Sequence, residues 1–332
     1  MAQIGVGYWG PNLLRNLMAN GACQVKKVVE PSPERREFVG RLYPSVELCA
    51  DTDAVLDDGA IDAVIISTPI STHFDIAMRV LESGKHILVE KPMGRSLREV
   101  EAIAKLAGEK NLVAMAGYTF LYNSAVRYIK ELIANGDLGT VRYIYSQRVN
   151  LGRVRDDVDA LWNLAPHDVS IIQNWLNNPE PVDVQRNGMA WVQDGIDDVV
   201  FLNIRYPAGM IANVHVSWLD PHKVRTMTVV GSEKMVVYDD IAEHKVAIYD
   251  KGIDRMAVLG QDMDFDEPLA LPPISYRSGD VVLPKIGWRE PLMVEIEHFF
   301  DCILNGTECI SGPRTAAQVV GILEQASVAR DS

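Results

Sequence analysis

Hydrophobic residues in the first third of the chain form short continuous runs that alternate with helical patterns. The runs occupy residues 2–6, 25–29, 63–67, 87–90 and 113–118. Between the later runs apolar residues recur every three to four positions, as at Ala77, Val80 and Leu81. Continuous apolar strands alternating with amphipathic helices predict a parallel sheet with helices on both faces. We expect this α/β domain to cover residues 1–121.

The pattern changes in residues 122–332, which we predict to form a second, α+β domain. A helix carrying Val126, Ile129, Leu132 and Ile133 is expected to end at Asn135-Gly136. Strand-like segments then follow closely at 141–149, 182–187, 199–206, 210–218, 225–231 and 235–238. Close spacing with few intervening helices predicts a mostly antiparallel, open sheet.

Pro and Gly residues mark the connections of this second domain. Pro207-Ala208-Gly209 is expected to be a hairpin turn. Helices are predicted near 166–176, at 291–304 and at 313–328. Residues 250–285 are rich in Pro, Gly and Asp, so we expect a long loop there.

Composition narrows the function classes. The formal net charge of -13 opposes non-specific binding to nucleic acid, which needs Lys and Arg to neutralise phosphates. No apolar run approaches the roughly 18 residues of a membrane span, and a glycine motif at residue 5 leaves no room for a secretory signal, so a cytoplasmic location is expected. The cysteines show no C-x-x-C pairing and no nearby His cluster, so we predict reduced structural thiols and no metal site.

A G-x-G-x-x-G motif lies between the first strand and the first helix. It consists of Gly5, Gly7 and Gly10 with Tyr8 and Trp9 in the turn. Glycine permits a tight turn, close approach of backbone N–H groups to a pyrophosphate, and close packing of helix on strand. The helix N-terminus adds a partial positive charge. The motif in this position predicts a dinucleotide site.

Glu30 supports this prediction. It ends the second strand, where an acidic side chain accepts hydrogen bonds from the adenosine ribose hydroxyls. A carboxylate at this position repels a 2′-phosphate. NAD is therefore expected as the cofactor in preference to NADP.

Two further turns follow buried strands and are expected at the same, ligand-binding edge of the sheet. The first contains Ser67, Thr68, Pro69 and His73, and the second contains Glu90-Lys91-Pro92. Together with the glycine motif and a segment containing His167, they give the chain a resemblance to the Gfo/Idh/MocA family of oxidoreductases. The resemblance extends over nearly the whole chain.

The resemblance implies a Rossmann domain, a second domain whose open sheet face packs in homodimers or homotetramers, and a set of site residues. Ser67, Thr68, Pro69, His73 and Glu90 would then line the cofactor site. Lys91 would contact both cofactor and the reacting hydroxyl, where a cation stabilises developing alkoxide charge.

The segment Leu161-Trp162-Asn163-Leu164-Ala165-Pro166-His167-Asp168 resembles the family's catalytic-histidine segment. His167 is the expected general base. Family members often carry aspartate where this chain has Asn163, which can orient an imidazole but cannot take a proton. Substrate contacts are expected from Tyr118, Tyr122 and Asn123.

The glycine motif (residues 5–10) and the segment 161–168 together resemble those of a subgroup that acts on nucleotide sugars in surface-polysaccharide metabolism. This resemblance implies oxidation at a ring carbinol, with C3 expected, of a sugar such as a UDP-N-acetylglucosaminuronate. Arginine and lysine side chains are candidates for phosphate or carboxylate contacts, namely Arg153, Arg155, Lys223, Arg225 and Arg289. Two alternatives stay open: an inositol or other polyol dehydrogenase or 3-keto-sugar reductase, and an NAD-binding sensor or scaffold without turnover.

Overall fold

The computed structural model describes residues 1–255 and 274–328. Its first sheet has six parallel strands in the order β3-β2-β1-β4-β5-β6. These strands are β1 (Ala2–Ile4), β2 (Lys27–Val29), β3 (Glu47–Cys49), β4 (Ala63–Ile66), β5 (His86–Glu90) and β6 (Ala114–Gly117). The predicted parallel sheet is confirmed. The strand order reverses between β1 and β4. Such sheets bind ligands in the crevice at the carboxyl ends of the strands at this point.

Helices cover the first sheet and explain most of its apolar pattern. They are α1 (Gly10–Ala19), α2 (Pro33–Leu42), α3 (Asp53–Leu56), α4 (His73–Glu82) and α5 (Leu97–Glu109). In α1 the residues Leu13, Leu14 and Leu17 are fully buried. The hydrophobic pattern predicts neither α2, which buries only Val39, nor the short edge strand β3, since neither has a continuous apolar face.

The second sheet has eight strands in the order β14-β13-β12-β11-β7-β10-β9-β8 and follows α6 (Ser124–Ala134). The strands are β7 (Val141–Leu151), β8 (Asp183–Met189), β9 (Val199–Arg205), β10 (Ile211–Ser217), β11 (Leu219–Gly231), β12 (Met235–Asp239), β13 (Val246–Arg255) and β14 (Ile274–Val282). Of the described pairs in this sheet, only β7 with β10 is parallel, so the mostly antiparallel prediction is confirmed. The predicted hairpin joins β9 to β10.

The prediction of a long loop over 250–285 was wrong at both of its ends. Residues up to 255 continue β13, and residues 274–282 form β14, while 256–273 lie outside the described residues. β14 is an edge strand with mostly exposed side chains, so it has no apolar alternation to detect. It is attached by main-chain pairing and by an ion pair of 3.0 Å between Arg277 and Asp250.

The helix predicted near 166–176 begins earlier, as α7 (Ala160–Trp175). The Asp159 carboxylate caps its N-terminus by accepting a hydrogen bond from the Trp162 N–H at 2.9 Å. Pro166 therefore lies inside the helix, although its position in the sequence suggested a helix start. Since proline has no N–H to donate, the helical hydrogen-bond ladder lacks one bond at Pro166, directly before His167.

The last two helices connect the two sheets. They are α8 (Pro291–Asn305) and α9 (Pro313–Val328), close to their predicted bounds. α9 packs against α5 and α7, and the Ala116 N–H in β6 donates to the Ser311 carbonyl at 2.8 Å. The division into domains at residue 121 stays a prediction. In residues 1–255 and 274–328 no helix has the length and apolar character needed to cross a membrane.

Candidate functional site

The glycine turn is shaped by close backbone packing. Gly5 has a φ of +91°, and a side chain there would bring its Cβ to 2.7 Å from the Ser67 carbonyl oxygen. A Cβ on Gly10 would lie 2.7 Å from the Gly5 carbonyl oxygen. At Gly7 the nearest atom is the Arg35 Nη1 at 3.7 Å, so this glycine faces space. Gly5 and Gly10 are required by the turn itself, and Gly7 leaves room for a ligand.

The first turn is joined to the β4 turn through Gln3 and Ser67. The buried Gln3 Nε2 donates to the carbonyl oxygens of Gly5 and Gly10 at 3.0 and 2.9 Å. The Ser67 hydroxyl donates to the Gly5 carbonyl at 2.8 Å. Ser67 therefore holds the glycine turn in place. Tyr8, at the tip of the turn, is 86% exposed.

Glu30 is buried at the end of β2 and faces the glycine turn. Its carboxylate accepts hydrogen bonds from the backbone N–H groups of Val6 at 2.9 Å and Ser32 at 3.0 Å. Each carboxylate oxygen has a second lone pair, which leaves acceptors for ribose hydroxyls. The position fits the predicted role, and the structure adds a second one, since Glu30 ties the glycine turn to the start of α2.

His73 lies beneath the turns that follow β4 and β5. It is buried at the start of α4, and its two ring nitrogens lie 2.8 Å from the Thr68 carbonyl oxygen and 2.9 Å from that of Pro92. Burial lowers the pKa of His73. The ring bridges the two turns and has no free nitrogen for a cofactor. Thr68 and Pro69 are fixed by Thr72, whose hydroxyl contacts both at 2.8 Å.

Lys91 extends from the end of β5 to α7. Its ammonium group donates to the Asn163 carbonyl oxygen at 2.8 Å. Burial lowers the pKa of Lys91, and the positive charges of Arg148 and Arg155 lower it further, against the opposing effect of Glu90. The ammonium group is therefore held one helical turn before His167, next to other cations.

Glu90 contributes the negative charge at this point. Its carboxylate accepts from the Lys91 N–H at 3.2 Å, and the Trp9 side chain also bonds to it. Burial raises the pKa of Glu90, while Lys91 and the hydrogen bonds lower it. Trp9 and Glu90 thus connect the glycine turn to the strand that ends in Lys91.

His167 lies on the same part of α7. Its ring contacts the edge of Phe120 with centroids 5.1 Å apart, and its Nδ1 has no hydrogen-bond partner among the described residues. Burial lowers the pKa of His167 well below 6.5, and the charges of Lys91, Arg148 and Arg225 add to this effect. The imidazole is therefore neutral near pH 7. The structure brings Lys91 and His167 together, as the sequence analysis required.

Arg148 is a site residue that was not predicted from the sequence. Its guanidinium lies 4.6 Å from the centre of the Phe120 ring and pairs with the buried Asp168 at 2.5 Å. Removing one partner of such a buried pair costs about 3–5 kcal/mol. A signal was present: Arg148 alternates in β7 with the buried Ile144 and Ser146, so it had to face the core. Asp168 is therefore committed to Arg148 and does not replace the missing aspartate at residue 163.

Tyr118, Tyr122 and Asn123, the expected substrate contacts, are all buried. The Tyr122 hydroxyl lies 2.9 Å from the Ser311 Oγ, and Asn123 caps α6 by accepting from the Ala125 N–H at 2.9 Å. These contacts give Tyr122 and Asn123 packing and capping roles. The Tyr118 hydroxyl has no partner among the described residues, and substrate contact stays a prediction for it.

The candidate arginines and Lys223 divide into three groups. Arg155 is near Lys91 and bonds to Asp157 at 2.5 and 2.7 Å, and Arg225 is near His167 and pairs with Asp240 at 3.3 Å. Arg289 pairs instead with Glu297 of α8 at 2.8 Å. Arg153 and Lys223 are exposed. Arg155 and Arg225 therefore belong to the candidate site, and Arg289 is held on a different element.

Comparison with known proteins identifies the family. The profile "Oxidoreductase family, NAD-binding Rossmann fold" matches residues 1–118, and "GFO/IDH/MocA C-terminal domain" matches residues 126–237. The chain belongs to the Gfo/Idh/MocA family. It is an NAD(P)-dependent oxidoreductase that acts on CH–OH groups, which favours the enzyme over the non-catalytic sensor or scaffold.

Individual relatives include several sugar and polyol enzymes. A UDP-N-acetylglucosamine 3-dehydrogenase from Acidithiobacillus ferrooxidans is 29% identical over 75% of this chain and 76% of its own length. A scyllo-inositol 2-dehydrogenase (NAD(+)) from Bacillus subtilis is 26% identical over 92% and 86%. A solved structure of the Acidithiobacillus enzyme has a TM-score of 0.80 at 26% identity, covering 99% of this chain and 96% of that one.

The geometry of the glycine turn fits the dinucleotide of this family. A Cβ would fill the turn at Gly5 and Gly10, but Gly7 borders open space beside the N-terminus of α1. Backbone N–H groups at a helix N-terminus suit a pyrophosphate. The residues Gly5, Gly7, Gly10 and Glu30 would hold the cofactor, and bound NAD supplies the hydride acceptor.

The different surroundings of the glycines lead to a prediction. Gly7→Ala should weaken NAD binding about tenfold or more, because the new methyl group occupies the space for the pyrophosphate. The melting temperature should stay within about 2 °C of wild type, since no atom is closer than 3.7 Å to the new Cβ. Calorimetric titration with NAD and thermal melts measure both. Gly108→Ala, where nothing lies within 4 Å, is the control, and unchanged NAD affinity in Gly7→Ala would contradict the placement.

Proposed function

We propose that the chain oxidises a ring secondary alcohol of an anionic sugar, at C3 of a UDP-linked sugar such as UDP-N-acetylglucosaminuronate. The observation that carries this proposal is the convergence of Lys91 and His167 beside Arg155 and Arg225. Guanidinium groups favour phosphates and carboxylates as partners. The UDP-N-acetylglucosamine 3-dehydrogenase among the relatives supports the same substrate class.

The proposed chemistry uses two side chains of this chain. The neutral His167 takes the proton of the reacting hydroxyl, and its lowered pKa keeps it in the basic form at neutral pH. The Lys91 ammonium stabilises the negative charge that grows on the oxygen as its proton moves to His167, before the C–H bond breaks and the carbonyl forms. Because the Asn163 carbonyl of α7 binds the Lys91 ammonium, the cation stays at a fixed distance from His167 on the same helix.

A polyol is the second candidate substrate. The inositol dehydrogenase from Bacillus subtilis matches a larger share of this chain than the UDP-sugar enzyme does. The reverse reaction, reduction of a 3-keto sugar, uses the same side chains with the proton travelling from His167 to the oxygen. Neither alternative requires cations beyond Lys91, so the arginines distinguish the nucleotide sugar from a free polyol.

Substrate screening tests the choice directly. The full chain is incubated with NAD and either UDP-N-acetylglucosaminuronate, UDP-N-acetylglucosamine, myo-inositol or scyllo-inositol, and formation of NADH is followed by absorbance. We expect kcat/KM for a UDP-sugar to exceed that for either inositol by about a hundredfold. Turnover of the inositols alone would overturn the nucleotide-sugar assignment.

Arg155 should affect the KM for the UDP-sugar but not the KM for NAD. Arg155→Ala is expected to raise KM for the UDP-sugar about tenfold, because a charge-assisted hydrogen bond contributes about 1.5–3 kcal/mol. The KM for NAD should not change. Steady-state kinetics on both substrates measure this, with Arg289→Ala as the control, since its partner Glu297 is on α8. Equal effects of the two substitutions would count against a substrate role for Arg155.

We also propose a homo-oligomer that packs through the open face of the second sheet. This face exposes the aromatic rings of Tyr143, Tyr145 and Phe201 together with Ile211. Ile211 pairs with Tyr143, so the apolar side chains adjoin. A large exposed apolar face marks an interface. Light scattering should give a dimer or tetramer that Tyr145→Arg weakens, and a monomeric wild type at micromolar concentration would contradict it.

A cytoplasmic location stays a prediction.

A further inference from the structure

A second group of reactive side chains lies where α8 meets the segment that follows it. His298, Cys302 and Cys309, here called the Cys2His cluster, place three potential ligand atoms within 4.8 Å of one another. His298 and Cys302 are four residues apart on α8 and therefore share a face of the helix. Cys309 follows the left-handed turn at Gly306, which directs the chain back along α8. The cluster shares no residue with the Lys91–His167 site.

We propose that the Cys2His cluster binds a thiophilic divalent cation of the zinc class. Two thiolates and one imidazole are ordinary zinc ligands, with Zn–S about 2.3 Å and Zn–N about 2.0–2.1 Å. Around a tetrahedral ion these lengths separate sulfur and nitrogen by about 3.5 Å. The distance between the Cys302 Sγ and the His298 Nε2 is 3.5 Å. The helix thus already holds two ligand atoms at the spacing that zinc needs.

The imidazole is presented in the form that can bind a metal. The His298 Nε2 accepts a hydrogen bond from the Ile310 N–H at 3.1 Å, so this nitrogen carries a lone pair and no proton. A cation bound there would replace the amide as partner of the lone pair. The thiols of Cys302 and Cys309, which contact each other, would each release a proton to solvent on binding.

Three protein ligands leave one coordination position of a tetrahedral ion open. Beside His298 there is a cavity of about 260 Å³, lined by residues that include Glu297 and Asp301. A water molecule in this cavity can supply the fourth ligand. The two thiolates balance the charge of the ion, so no further carboxylate is required.

The position of the cluster gives the ion a structural role. Two residues after Cys309, the Ser311 carbonyl accepts a hydrogen bond from the Ala116 N–H in β6, and the Ser311 hydroxyl lies 2.9 Å from the Tyr122 hydroxyl. Joining Cys309 to α8 would therefore fix the segment that attaches the last two helices to the first sheet. The free cysteines Cys23 and Cys49 belong to the other end of the sequence and serve as internal controls.

Cobalt substitution tests the site. The full chain is stripped of metal with a chelator, kept reduced with a phosphine, and titrated with Co²⁺ alone. We expect one Co²⁺ per chain, a thiolate-to-cobalt charge-transfer band in the near ultraviolet, and loss of the band when Zn²⁺ is added. Cys302→Ser and Cys309→Ser should each lower the band by about half or more, and Cys49→Ser should leave it unchanged.

A measurement on the wild-type chain keeps the test decisive if a variant fails to fold. Under the same reducing conditions, Zn²⁺ should slow alkylation of Cys302 and Cys309 by about tenfold, because a bound thiolate is a poor nucleophile, and should not affect Cys23 or Cys49. Peptide mass spectrometry gives the rate for each thiol. Absence of the cobalt band, equal alkylation rates with and without Zn²⁺, or a Cys302–Cys309 disulfide that persists after phosphine treatment would overturn the proposal.

Discussion

Replacing Lys91 with alanine should lower kcat for the sugar substrate by about a hundredfold or more, with NAD affinity within about twofold of wild type. The ammonium group is the cation that the fold delivers to the reacting oxygen, and its removal leaves developing alkoxide charge unbalanced. Among the described residues the Lys91 ammonium donates its hydrogen bond to the Asn163 carbonyl at 2.8 Å, away from the glycine turn, so cofactor binding should survive. Steady-state kinetics and NAD titration measure the two effects separately.

Lys130 provides a matched control for this substitution. Its ammonium group also donates to a backbone carbonyl of α7, that of Asn174 at 2.7 Å, at the other end of the helix. Lys130→Ala should therefore reproduce any loss caused by loosening α7 while keeping the cation at the site. If Lys130→Ala reduced kcat as much as Lys91→Ala does, the role of Lys91 would be structural.

The glycine turn and the turns after β4 and β5 could be predicted because their signals are local. Gly5 and Gly10 are required by contacts within a few residues of the chain or with the adjacent strand. The convergence of these turns followed from the parallel sheet, in which carboxyl ends share one edge. The expectation that Lys91 and His167 act at one site depended on the family resemblance, since no local pattern joins residues 91 and 167.

Other features depend on long-range contacts that a single sequence does not report. The pair of Arg148 with Asp168 joins a strand to a helix, and only the alternation in β7 showed that Arg148 had to be buried. β14 escaped prediction because an exposed edge strand needs no apolar side chains. Pro166 gave a misleading signal, since the cap at Asp159 and the packing of α7 override the local preference of proline.

His167 has an environment that determines how its activity depends on pH. Burial and the charges of Lys91, Arg148 and Arg225 disfavour the imidazolium form, so the pKa of His167 lies below 6.5. Among the described residues Nδ1 has no hydrogen-bond partner, and residue 163 is asparagine, so it supplies no carboxylate to stabilise that form. The acid limb of the kcat/KM profile should therefore fall below pH 6.5. Burial lowers the pKa of Lys91 from 10.5, so the alkaline limb should begin below that pH.

Substituting His167 with asparagine should lower kcat/KM by about a hundredfold to ten-thousandfold and remove the acid limb, because the group that titrates there is gone. The measurement is kcat/KM from pH 4.5 to 11 with a saturating NAD concentration. Asn163→Asp keeps the histidine and supplies a carboxylate one helical turn away, which favours the imidazolium and should move the acid limb up by about one pH unit. An acid limb that persists in His167→Asn, or that does not move in Asn163→Asp, would assign the proton transfer to another group.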